Sequence, residues 1–311
     1  MRWDDRVYGE VAVEDPGILA LVECPTFRRL KGILQAGPSA FAYPFKTVSR
    51  YEHCLGVFLL LKRLGASRQE QVAGLLHDIS HTAFSHAVDF VVWSEEQDHH
   101  EALKPEFLNR PDIVAALDAL GYASKDFYDD SIYSLLEKPL PWLCADRLDY
   151  FLRDGRACGV LTPADVLRIL ADITVFNGTL VFNDVRIARR AAELFSEMNR
   201  DWWASPSESY IYNEFADALL EGFRLGSLTK LDLYEDDAHV LKCLTGAKSP
   251  LIDAKLAGIT GFKPEYLVGF VPRVIPKTRW LDPPVRVDSG WKRLSEVNLS
   301  DPIREPAARK G

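Results

Sequence analysis

The stretch VAGLLHDISHTAFSH, residues 72–86, limits most sharply what this chain can fold into. It opens as an apolar run, Val72 to Leu76, of the kind that carries a helix into a core. His77 and Asp78 follow directly, with His81 and His86 close behind. An unpartnered polar group in an apolar interior costs roughly 1–3 kcal/mol. A fold that buries this segment must therefore supply partners for all four side chains.

Six of the seven histidines fall between positions 53 and 100: His53, His77, His81, His86, His99 and His100, with His239 apart. Their clustering beside an aspartate points to a shared metal or a catalytic network. Imidazole and carboxylate together suit Mn, Fe, Co, Ni or Zn. Neighbouring helical residues point about 100° apart. His77 and Asp78 can therefore share an ion only if it lies near the helix wall and other helices bring further ligands. His53, on the preceding apolar helix, is one candidate. A second acid is available in PWLCADRLDYFLRD, residues 141–154, where Asp146 follows an apolar run. Asp149 and Tyr150 share its helix face. Ion pairing with Arg147 and Arg153 is the competing role for these acids.

The chain has 311 residues, 47% hydrophobic and 26% charged, enough to bury a large core. A formal charge of −8 offers no basic footprint for nucleic acid. No apolar run approaches the ~20 residues of a membrane helix, and MRWDDRVYGE lacks the apolar centre of a signal peptide. Cys24, Cys54, Cys144, Cys158 and Cys243 are odd in number and form no CxxC pair. They read as reduced thiols of a cytoplasmic protein.

Helical spacing predicts helices over 17–35 (interrupted near Pro25), 53–64, 68–80, 82–94, 98–108, 111–120, 140–156, 163–171, 184–203 and 208–223. DITVFNGTLVFND, residues 172–184, predicts a β-hairpin turning at Asn177-Gly178. The tail from Phe262 reads as irregular with short strands. The expected fold class is mainly α. A helical core spans 1–172, and the hairpin with further helices, 173–260, completes the same domain. An irregular, partly β lobe occupies 261–311.

The blocks SRYEHCLGV around His53, GLLHDISHTAFSHAVD around the doublet, HHEAL at 99–103 and ADRLDYFLRD around Asp146 stand in order. CPTFRRLKGILQAG precedes them. Together they resemble the HD superfamily of metal-dependent phosphohydrolases, and within it the branch of deoxynucleoside triphosphate triphosphohydrolases. The resemblance implies an HD-domain helical bundle that hydrolyses a nucleotide with one divalent ion per chain (Mn, Fe, Ni, Co, Zn or Mg). It implies His53, His77, Asp78 and Asp146 as metal ligands. His86 and His100 would flank the reacting phosphate, steered by Asp89 and Glu101, with His81 facing the pocket. Arg50 and Arg147 would contact phosphate. Tyr150 and Asp154 would meet the sugar, and Gln35 the sugar or its surroundings. The expected partner is a small nucleotide, with neither membrane nor nucleic acid, and homo-oligomerisation stays open.

In that branch the long helix after the hairpin supplies basic and tyrosine side chains to the triphosphate. Here ELFSEMNRDWWASPSESYIYNEF, residues 193–215, shows no such cluster, although Arg200, Tyr210 and Tyr212 are present. Other basic groups, such as Arg200 or Lys46, would have to fold in. A nucleoside triphosphate therefore ranks only narrowly ahead of a monophosphate phosphatase or phosphodiesterase activity on the same scaffold. A non-catalytic nucleotide sensor is the alternative of another class.

Overall fold

Ser49 sets the start of the helix that carries His53. In the computed structural model, which describes residues 2–92, 99–288 and 290–297, Ser49 and Glu52 form a reciprocal capping box. The helix therefore begins at Arg50, three residues earlier than its apolar run predicts. His53 thus lies in the first turns, facing inward.

The chain opens with the strand pair β1 (Arg2–Asp5) and β2 (Gly9–Ala12), then α1 (Pro16–Glu23), α2 (Pro25–Arg28) and α3 (Ser39–Ala42). Next come α4 (Arg50–Arg63), α5 (Arg68–Leu76), α6 (Ala87–Val92), α7 (His99–Leu108) and α8 (Pro111–Leu120). After α9 (Ala145–Ala157) and α10 (Pro163–Asp172), the hairpin of β3 (Ile173–Phe176) and β4 (Thr179–Phe182) follows. The rest comprises α11 (Val185–Met198), α12 (Pro206–Leu225), α13 (Asp237–Gly246), α14 (Pro250–Thr260), β5 (Pro284–Val287) and β6 (Gly290–Arg293).

The departures from the sequence pattern have local causes. The segment 17–35 divides at Pro25 into α1, α2 and a 3-10 turn, Arg29–Gly32, because proline cannot continue the preceding helix. The helix predicted over 68–80 stops at Leu76, and His77 is its C-cap. His77 and Asp78 therefore stand at a helix end and not along its wall. The chain then turns through Phe84 (φ 59°) and Ser85 (φ 54°), a left-handed conformation that bulky residues rarely adopt. Phe84 N–H donates to Asp237 Oδ1 (2.6 Å) and Ser85 Oγ donates to the Leu34 carbonyl (2.7 Å), which holds the turn. Helix α6 starts only at Ala87, and the predicted ends at 94 and 98 lie outside the described residues. Helix α9 starts at Ala145, after Pro139 and Pro141. Helix α11 passes into a π-helical turn, Asn199–Trp203.

The hairpin at Asn177-Gly178 forms as its turn signal predicts. The short strands of the tail extend it: Phe182 of β4 pairs in parallel with Val285 of β5, giving a sheet in the order β3-β4-β5-β6. The strand pair β1–β2 and helices α3, α13 and α14 lie outside the predicted elements; β1, β2 and α3 span four residues each, too short to show a period.

Helices α4 and α9 cross at Gly56. A Cβ there would lie 2.0 Å from Arg153 Nη2 and 2.2 Å from Asp149 Oδ1. Both of those side chains are fully buried, so neither can swing away. We expect Gly56→Ala to lower the free energy of unfolding by about 1–3 kcal/mol through overpacking, despite the better helix propensity of alanine. Urea denaturation measures it, and unchanged stability would show that the two helices can part at this point.

Candidate metal centre and its cavity

His77, at the end of α5, donates from Nδ1 to the Gly74 carbonyl (2.9 Å). His53, on α4, donates from Nδ1 to Asp149 Oδ2 (2.8 Å). Each bond fixes a tautomer and leaves an Nε2 lone pair facing inward. The two Nε2 atoms lie 3.1 Å apart. Asp146 Oδ1, from the first turn of α9, is 2.9 Å from His53 Nε2 and 3.4 Å from His77 Nε2. Asp78 borders the same point, its oxygens 3.7 Å from His53 Nε2 and 3.6 Å from His77 Nε2.

Three facing acceptor atoms, drawn within 4.8 Å of one another, need a proton or a cation between them. The mixed nitrogen and oxygen donors suit a divalent transition metal. Electrostatics agree. Burial pushes both histidines down, but Asp146 and Asp149 outweigh it at His53, and Asp78 and Asp146 outweigh it at His77, so both rings are held above the usual histidine range. Burial raises Asp146, and the two imidazoles outweigh it, leaving the carboxyl far below its ordinary range.

Asp149, which the sequence places on the helix face of Asp146 and within reach of Arg153, supports the centre from behind. Its carboxylate, wholly buried, also accepts from Arg153 Nε (2.7 Å) and the Tyr8 hydroxyl (2.7 Å). Arg153 in turn reaches Asp5 (2.9 Å). The competing ion-pair role thus falls to Asp149, while Asp146 faces the histidines.

A second histidine group lies beside the first. His81 and His100 stack with ring centroids 4.0 Å apart, and His86 meets His81 edge-on at 4.9 Å. His86 Nδ1 donates to Asp89 (3.0 Å). The Nδ1 of His100 is buried with no hydrogen-bond partner, and its ring lies against that of His81. Burial drives all three below the usual range, His100 to about 3, with the neighbouring His86 contributing. One histidine group therefore attracts protons and the other rejects them.

Both groups open into a cavity of about 700 Å³. Every expected site residue lines it except Asp89, which sits behind His86. Arg50 is buried, with Nη1 on Asp78 (2.6 Å) and Nε on Ser85 (3.0 Å). Arg147 is held by the Lys138 and Trp142 carbonyls (3.1 and 2.5 Å), and its Nε has no partner. Gln35 Nε2 donates to Asp154 (3.2 Å to each oxygen), which also accepts from Trp203 Nε1 (2.9 Å). Tyr150 packs edge-on against Trp203 at 5.1 Å.

Of the two basic groups that would have to fold in, Lys46 lines the cavity, paired with Glu208 (2.9 Å), whereas Arg200 is exposed and pairs with Asp201. Tyr212 lines it and Tyr210 does not. Lys104, Lys138, Lys277 and Arg279 add cations. Arg279 arrives from the tail, its backbone N–H on Asn199 Oδ1 (2.7 Å). No local pattern in the sequence ties position 279 to positions 50 or 147; only the folded tail brings them together.

Residues 50–119 match the HD domain family. The chain is 34% identical over 304 residues to the Uncharacterized protein YdhJ of Bacillus subtilis, which covers 96% of this chain and 92% of that one. It is 34% identical over 257 residues to the Metal-dependent phosphohydrolase cns2 of Cordyceps militaris, covering 79% and 73% respectively. It is 25% identical over 243 residues to human Deoxynucleoside triphosphate triphosphohydrolase SAMHD1, covering 61% and 38%. The fold is similar to that of a hypothetical protein from Aquifex aeolicus, with a TM-score of 0.68 at 19% identity, over 96% of this chain and 92% of that one.

Groups that orient a metal-binding histidine from behind affect metal affinity by about 10–100-fold. We expect Asp149→Asn to weaken Mn²⁺ binding by that factor in calorimetric titration. An unchanged affinity would show that Asp149 serves only the packing of Arg153.

Proposed function

Because the chain belongs to the HD-domain metal-dependent phosphohydrolases, we propose that it hydrolyses a phosphate ester or anhydride of a nucleotide, with His53, His77, Asp78 and Asp146 holding one divalent ion. One observation carries this reading. A proton-attracting donor set and a group of neutral histidines share the floor of one cavity that also exposes arginine and lysine side chains. When bound, the ion acidifies a water and polarises a phosphoryl oxygen.

The protein groups account for the remaining steps. Arg50 and Arg147 present forked donors suited to phosphate oxygens. His86, its Nδ1–H fixed on Asp89, turns Nε2 to the cavity. Kept neutral by burial, it accepts a proton from the attacking water and returns it to the leaving oxygen. His100, stacked on His81, flanks the phosphorus from the other side. Gln35 and Asp154 offer polar contacts to sugar hydroxyls, and Tyr150 and Trp203 offer ring faces to the sugar or base. Among the described residues no helix is long and apolar enough to cross a membrane.

The likeness to the human triphosphohydrolase and the added cations Lys138 and Arg279 support a nucleoside triphosphate. A specific observation supports a second reading. Seven cationic and eight carboxylate side chains line the cavity, so a divalent ion leaves only a slight positive excess, which suits a monophosphate.

Incubation with dGTP, dATP, dGMP and dAMP in Mn²⁺ or Mg²⁺, with chromatography of the released group, separates these. Intact tripolyphosphate supports the first reading. Orthophosphate from monophosphates alone supports the second. Nucleotide binding without any hydrolysis would overturn both in favour of a sensor. On the true substrate, His86→Ala should keep its metal and lose turnover by about 10²-fold or more. Asp78→Ala should lose the metal itself, as elemental analysis of the purified protein reads directly; full retention would sink the ligand assignment.

A further inference from the structure

We propose that Asp232, His239 and Cys243 form a second, peripheral site for a zinc-type ion, Zn²⁺ or Co²⁺, outside the catalytic cavity. His239 and Cys243 are four residues apart on α13 and share one face of it. Asp232 stands on the 3-10 turn before that helix. Asp232 Oδ1 lies 2.7 Å from His239 Nε2, and Cys243 Sγ lies 3.6 Å from the same nitrogen. The three ligand atoms fall within 4.8 Å of one another. Ligands at the usual Zn–N, Zn–O and Zn–S distances around a tetrahedral ion are roughly 3.3–3.6 Å apart, so small side-chain movements complete the geometry. None of the three lines the cavity.

The hydrogen bonding around the trio aims one Asp232 oxygen at His239. Asp232 Oδ2 is occupied by Thr229, which donates from its backbone N–H (2.7 Å) and Oγ1 (2.6 Å). This turns Oδ1 toward His239. His239 Nε2 stands between that oxygen and Sγ. Bound to an ion through Nε2, the ring would carry its proton on Nδ1 and the thiol would release its proton to solvent, so oxygen, nitrogen and thiolate sulfur bind at once. The partial exposure of the trio, 41% for His239 and 24% for Asp232, leaves the fourth position to water.

The site would clasp a turn on which the catalytic segment leans. Between Asp232 and His239, the Leu233 carbonyl accepts from Ala83 N–H (2.9 Å). Asp237 accepts from Leu34 N–H (2.9 Å) and Phe84 N–H (2.6 Å). An ion joining Asp232 to α13 closes this turn and steadies residues 81–86 from outside.

The test uses the full chain, cleared of metal by chelation and titrated with Co²⁺. A thiolate-to-cobalt charge-transfer band should appear in the wild type. Cys243→Ser and His239→Ala should each abolish it. Cys144→Ser, beside Asp146, should retain it, which separates this site from the catalytic one. Protein equilibrated with Zn²⁺ should hold one equivalent more than the Cys243→Ser variant, and Zn²⁺ should raise the Tm of the wild type more than that of the variant. Absence of the band in the wild type, or a band and zinc content unchanged by Cys243→Ser, would overturn the proposal.

Discussion

A single buried carboxylate, that of Asp149, organises the centre of this molecule. Taking a charge out of water costs several kcal/mol unless it is fully paired. Asp149 meets that demand with three donors from three parts of the chain: His53 of α4, Arg153 of its own helix and Tyr8 of the turn between β1 and β2. Removing any one leaves that charge less fully paired. The requirement therefore fixes the crossing of α4 and α9, forces glycine at position 56 and seats the N-terminal strand pair. It also aims His53 Nε2 at Asp146. Packing and chemistry share one set of contacts.

The two histidine groups show how burial alone does not decide protonation. All are removed from water, which disfavours the charged ring. Around His53 and His77 the acids Asp78, Asp146 and Asp149 reverse that preference. Around His81, His86 and His100 the Arg50 charge and neighbouring rings reinforce it, Asp89 opposing only in part. Arg50 lies on the boundary, with one nitrogen on Asp78 and another on Ser85. It separates a region suited to holding a cation from one suited to exchanging protons.

Much of this was legible in the sequence. Apolar periodicity exposes α4 and α5, and the cost of burying His77 and Asp78 signals that partners must exist. Asp146 is recognisable because it follows an apolar run as Asp78 does. What escaped depends on distant chain segments. The loop after α5 turns left-handed at Phe84 and Ser85, where Asp237 accepts from Phe84 N–H from more than 150 positions away. Asp149 and Asp146 share a helix face, and only the arrival of Tyr8 and Arg153 assigns them different work. Asp89 accepts from His86 as its position beside that histidine suggests, whereas the stacking of His100 on His81 has no signal in the sequence.

The irregular tail has a consequence for how this scaffold can diversify. Residues 268–283 form neither helix nor strand, yet they carry Lys277 and Arg279 to the cavity rim, while β5 moors the segment to the sheet. Substitutions in regular, buried elements such as α4 or α9 disturb several partners together. In this tail Val274 and Leu281 are buried, but substitutions at the rim side chains Lys277 and Arg279 disturb fewer buried partners. Two descendants of one ancestor could thus keep the same reactive floor and acquire different substrate ranges, because the parts that decide what is cleaved and how it is cleaved lie under unequal mutational constraint.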